Sequence, residues 1–126
     1  MAGMFEMDYK GKKILCLDLS GLELKDKEEF KSLVGNAKKT IAQHPPKSIL
    51  LITNIANTGF DTEIAAVMAD YATHNTSYVK ASAVVGISGV QKIILTAIKS
   101  VTGRDFFLSN TMQEAEDWLV NQDEKL

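Results

Sequence analysis

Residues 48–53, Ser-Ile-Leu-Leu-Ile-Thr, form a short, apolar, β-branched run with no alternation of polar side chains, the mark of a central strand. Before it, Phe30, Leu33, Val34, Ala37 and Ile41 recur at spacings of three and four. After it, Ile64, Val67, Met68, Tyr71 and Ala72 do the same. A strand-length run between two amphipathic helices leaves few solutions, because each helix must carry the chain back across a sheet. Right-handed crossovers and a largely parallel sheet follow.

The rest of the chain continues that alternation. Phe5 to Tyr9 and Lys13 to Leu19 read as strands joined by a turn at Lys10-Gly11-Lys12, an antiparallel hairpin. The second of them is mostly apolar, as a strand covered on both faces is. The first helix spans 26–43, with Asp26 as its cap, Glu28 and Glu29 in the first turn, and Pro45-Pro46 ending it. After the loop Asn-Ile-Ala-Asn-Thr-Gly-Phe (54–60), Asp61 caps the second helix. Residues 78–86 give the next strand. The third helix begins near Ser88 and places Val90, Ile93, Ile94, Ala97, Ile98 and Val101 on one face, with Lys99 in its last turn and Gly103 at its left-handed exit. Asp-Phe-Phe-Leu-Ser-Asn (105–110) is the last strand. Thr111 and Glu114 have capping-box spacing at the start of a final helix packed through Ala115, Trp118 and Leu119. The expected order is β-β-α-β-α-β-α-β-α, an α/β fold in one domain over 1–126 with its core at about 5–120.

Several functional classes are disfavoured. A net charge of −2 gives no electrostatic footprint for nucleic acid, and Lys10, Lys12 and Lys13 read as a solvated turn. No apolar run approaches the roughly 20 residues of a membrane span, and the start of the chain lacks the apolar core of a signal peptide. Cys16 is the one cysteine, so no intramolecular disulfide forms, and an inert buried thiol in a cytoplasmic protein is expected.

Reactive constellations are equally sparse. Gly86-Ile87-Ser88-Gly89 approaches the serine-hydrolase elbow, yet its second glycine comes one residue early. The two histidines, His44 and His74, sit at helix ends, where a cation meets the helix dipole. Two histidines and one cysteine, widely separated, have no metal-ligand spacing, and the dinucleotide fingerprint lacks a glycine. Asp61, Glu63 and Asp70 read as a wet helix face. Ser88 caps the third helix with its own hydroxyl in the simplest reading, while an anion held on the same amides is the sharper one. No enzyme, metal or cofactor is expected.

The stretch AVVGISGVQKIILTAIKSVTGRDFFLSNTMQEAEDWL carries a resemblance through Gly86, Gly103, Phe107, Thr111, Glu114, Ala115 and Leu119. With the element order, it resembles the STAS domain, and within it the stand-alone bacterial SpoIIAA-like branch. That resemblance implies a regulatory domain acting through protein–protein binding, as anti-anti-sigma factors do. Those proteins carry a phosphorylated serine in Asp-Ser-Ser-Gly at the start of the second helix; the corresponding residues here are Asp61-Thr62-Glu63-Ile64, which puts Thr62 at the phospho-acceptor position. The second serine and the glycine are absent, and Glu63 adds a charge that a dianionic phosphate resists, so Thr62 reads first as an ordinary first-turn residue. The branch also resembles the lipid-binding CRAL-TRIO fold, which implies a small apolar ligand as the alternative, with Met68 and Met112 near a groove. The expected partner or anion surface is Asn57, Thr58, Gly59 and Asp61 together with Gly86, Ser88 and Gly89. An open strand edge or a spare apolar helix face also leaves room for a homo-oligomer.

Overall fold

The structure, a computed structural model, describes residues 3–102 and 106–125. Strands β1 (Gly3–Tyr9) and β2 (Lys12–Asp18) form an antiparallel hairpin in which Tyr9 faces Lys12. Its loop is only Lys10 and Gly11, with φ of 50° and 79°. A two-residue hairpin needs left-handed backbone at both positions to match the strand twist, and Gly11 supplies one of them without strain. Lys12 therefore belongs to the strand rather than to the turn.

Strands β3 (Ile49–Asn54), β4 (Val79–Val85) and β5 (Phe107–Ser109) add in parallel, giving the spatial order β1-β2-β3-β4-β5. Because neighbours in sequence are neighbours in space, right-handed crossovers send α1 (Lys27–Ile41), α2 (Thr62–Asn75) and α3 (Gly89–Thr102) to the same face. Leu15, Leu17, Leu51 and Val84 point toward Phe30, Val34 and Ala37 of α1, Ile64, Met68 and Tyr71 of α2, and Leu95 and Ile98 of α3. The opposite face, with Ile14, Cys16, Leu50, Ile52, Ala83 and Val85, is covered by α4 (Met112–Lys125) through Ala115 and Leu119. Trp118 stacks on Phe107 at 4.9 Å between ring centroids. Three charge contacts tie α4 to the hairpin and β4: Lys10 to Asp117, and Lys12 and Lys80 to Asp123.

Some local expectations are corrected. Asp26 does not cap α1 with its side chain; its carboxylate accepts the Glu23 N–H at 2.9 Å and closes a preceding 3-10 turn, Leu24–Asp26. Glu114 does not complete a box with Thr111. Thr111 Oγ1 accepts the Glu114 N–H, while the Glu114 carboxylate reaches one residue further and takes the Asn110 N–H and the Ser109 hydroxyl. In α3 the buried face is Gln91, Leu95 and Ile98; Ile94 is half-buried, Ala97 is exposed and Ile93 is 73% exposed. Met68 and Met112 lie on opposite faces of the sheet and cannot line one groove. The expectations for the Val90 and Val101 side chains and for Gly103 lie outside the described residues.

Candidate functional site

The chain leaves the carboxyl end of β3 into the loop 54–60, and that loop is fastened at almost every residue. Leu19 and Gly21 donate backbone N–H groups to the carbonyls of Asn54 and Ala56, and Ile55 donates to Val85. Thr58 is buried, and its hydroxyl donates to the Leu19 carbonyl at 3.0 Å. Gly59 donates to the Leu22 carbonyl, and a Cβ on it would meet the Leu24 nitrogen at 2.8 Å. On the other side Gly86 has φ of +85°, and a Cβ there would lie 2.6 Å from the Cα of Ala56. Both glycines are present because backbone occupies the space a side chain would need.

Gln91 completes the clamp. Its amide nitrogen donates to the Thr58 carbonyl at 2.6 Å, and its oxygen accepts the Ser88 N–H at 3.0 Å. Ser88 and Gln91 thus stand as the first and last members of a capping-box spacing, with the glutamine reaching back to the amide before the helix. This buried glutamine escaped the sequence reading, although the Ser-x-x-Gln spacing was there to find it.

The eight candidate residues therefore divide. Thr58, Gly59 and Gly86 are consumed in joining loop 54–60 to its neighbours. Asp61 is the cap of α2: its carboxylate accepts the Ile64 N–H at 2.9 Å and pairs with Lys27. The Lys27 ammonium and then the Ile64 amide hold the Asp61 carboxyl below its ordinary range. Glu63 pairs with Lys31 and Lys27 and is lowered by them in that order. Asn57, Thr62, Ser88 and Gly89 remain exposed around this edge, Asn57 with left-handed backbone at φ of 56°.

Two grooves run beside the edge and differ in chemistry. The one between α1 and α2, about 460 Å³, is lined by ion pairs, Lys31 with Glu63 and Lys38 with Asp70. Its charges already have protein partners. The groove between α2 and α3, about 580 Å³, is floored by Ala65 and Ala69 and walled by Ile93, Ile94, Ala97 and Ile98. Asp61 and Thr62 stand at its head. The apolar residues assigned to the core from sequence thus include the outer wall of an open groove.

An interior reaction chamber has little support in the geometry. Strand order never reverses within the parallel part of the sheet, so it makes no crevice where successive helices part to opposite faces. Among the described residues no three His, Cys, Asp or Glu side chains gather as metal ligands, and no helix is long and apolar enough to cross a membrane. His44 Nδ1 lies 3.0 Å from the Thr40 carbonyl and His74 Nδ1 3.0 Å from Asn75 Oδ1, both at helix ends. Burial pushes the Cys16 thiol up to about 12, so it is un-ionised at neutral pH.

No family model and no curated protein matches the sequence. Among solved structures, the chain is similar to an uncharacterised protein of the DUF3478 family with a SpoIIAA-like fold from Shewanella loihica PV-4. The TM-score is 0.67 at 15% identity, over 94% of this chain and 95% of that one. At that identity the likeness is one of fold: the chain has a SpoIIAA-like fold.

Proposed function

We propose that this domain is a non-enzymatic cytoplasmic regulatory module that binds another protein through the groove between α2 and α3, with Thr62 and the Asn57 and Ser88 loops at its head. The observation that carries this reading is the exposed aliphatic wall of α3. Ile93 is 73% exposed beside Ile94 and Ala97, in a groove whose rim carboxylate, Asp61, already caps α2 and pairs with Lys27. A helix contributes such a wall to solvent at a cost in apolar hydration, and a wall of this kind marks an interaction surface. Charge narrows the partner. The segment Gly89–Thr102 carries Lys92 and Lys99 and no acid. Across the groove head, Asp61 and Glu63 are neutralised by Lys27 and Lys31. An amphipathic helix with an aliphatic face and acidic flanks is the complementary ligand.

Regulation at Thr62 is the second part of the reading. A phosphate there would set a dianion at the mouth of an apolar groove, beside two acids that already hold the nearby lysines, and would weaken docking. The SpoIIAA-like fold of the chain supports the module reading without assigning a partner. The test is a photo-crosslinking side chain at position 93, against one at Asn121 on α4, in the full-length protein. A heteromeric adduct from position 93 alone, reduced by Thr62→Glu, is expected. Adducts of the chain with itself, or with lipid, or equal yields from both positions, contradict it.

A further inference from the structure

Beneath the groove, between β3–β4 and the helices α2 and α3, the core leaves a second space of about 30 Å³. Ile98 separates the two, lining both. Met68, Leu95 and Phe106 make part of its wall, yet Thr53, Tyr71, Asn75 and Ser82 also face it. Four polar side chains in an aliphatic core need partners, because an unpaired buried donor keeps its full desolvation cost.

The pairing is incomplete. Every fully sealed side-chain nitrogen or oxygen among the described residues has a hydrogen-bond partner. Ser82 is only 6% exposed, and among the described residues its hydroxyl has no protein partner. It therefore looks into open space, and the space beside it is this cavity. Asn75 is 1% exposed, and its Oδ1 contacts His74 Nδ1 at 3.0 Å. Thr53 Oγ1 and Tyr71 OH stand 3.4 Å apart, long for a hydroxyl pair, so Thr53 keeps spare accepting capacity.

We propose that this cavity is a built hydration site holding one or two water molecules, hydrogen-bonded to Ser82 Oγ and Thr53 Oγ1. A water needs roughly 10–15 Å³ of such space and two to four polar partners, and both conditions are met. The size excludes an acyl chain or an aromatic ring. The inference is independent of the docking groove, since it rests on the interior alone.

A crystal structure of the whole chain at a resolution that shows ordered solvent tests it. The expected result is a water peak within hydrogen-bond distance of Ser82 Oγ, with a water-to-protein cross peak of long-residence sign at Ser82 in solution. Ser82→Ala should remove or displace that peak while the backbone stays in place. An empty cavity in the natural protein, or a Ser82 hydroxyl turned onto a backbone carbonyl, overturns the proposal; so does an unmoved water in Ser82→Ala. Should the variant fail to fold, the measurements on the natural chain decide alone.

Discussion

Gly86 and Gln91 hold the candidate edge together by opposite means, one by having no side chain and the other by burying a polar one. At Gly86 a methyl group would collide with Ala56, and the backbone stands in the left-handed region. Gly86→Ala should therefore cost about 2 kcal/mol or more in denaturant unfolding, well beyond an ordinary surface change. Gln91→Ala leaves the Thr58 carbonyl and the Ser88 amide without their partner, a loss of about 1–3 kcal/mol. Gln91→Glu should cost as much, since a carboxylate cannot donate to the Thr58 carbonyl. Neither role was fully open to sequence reading. Gly86 was visible as a turn glycine, but its collision partner sits thirty residues away in loop 54–60. Thr58 and Gly59 looked like free loop residues because small polar types suit both a binding loop and a clamped one. Cys16, by contrast, was legible: its neighbours are apolar, and with its pKa raised to about 12 it should react with thiol reagents at pH 8 only as fast as the chain opens.

At the scale of elements, amphipathic helices showed where they begin better than which way they face. In α1 and α2 the apolar stripe is narrow: of the expected residues Phe30, Val34, Ala37 and Ile41, and Ile64, Met68, Tyr71 and Ala72, are buried, while Leu33 and Val67 are half-buried. In α3 apolar residues cover most of the circumference, so periodicity could not choose a face. Ile93 stands roughly 160° around the axis from Gln91. The face that packs is fixed by the Gln91 clamp, a long-range contact that one helix does not encode. The start of α2 was plain, because Asp61 stands where an N-cap is needed. Its acid sensitivity follows. Lys27 and Lys31 hold the Asp61 and Glu63 carboxyls below their ordinary values of 3.8 and 4.5. Lys12, then Lys80, does the same for Asp123. Carboxyls lowered in the folded state contribute stability that is present above their unfolded pKa values and lost as pH falls through the folded ones. The unfolding midpoint should hold level from neutrality down to about pH 5 and then fall below about pH 4. Asp123→Asn should flatten that fall in a pH series of denaturant titrations.

For the molecule as a whole, alternation of strand and helix specified a parallel sheet with an antiparallel edge, and crossover handedness then put three helices on one face. What the sequence left open was the consequence of adding strands in strict order. With no reversal the parallel strands make no switch-point crevice, and the space between helices α2 and α3 is left as an exposed apolar groove. Because Ile93 is largely in solvent, Ile93→Asp should change unfolding stability by no more than about 0.5 kcal/mol, in contrast to Gly86→Ala. The same substitution should abolish docking. The most direct measurement is hydrogen exchange on the purified complex with the partner captured from position 93. New protection confined to α2 residues 62–69 and α3 residues 89–98, absent in Ile93→Asp, is the predicted result. Protection spread over α4, or an unchanged complex with Ile93→Asp, would show that this face is not where the molecule meets its partner.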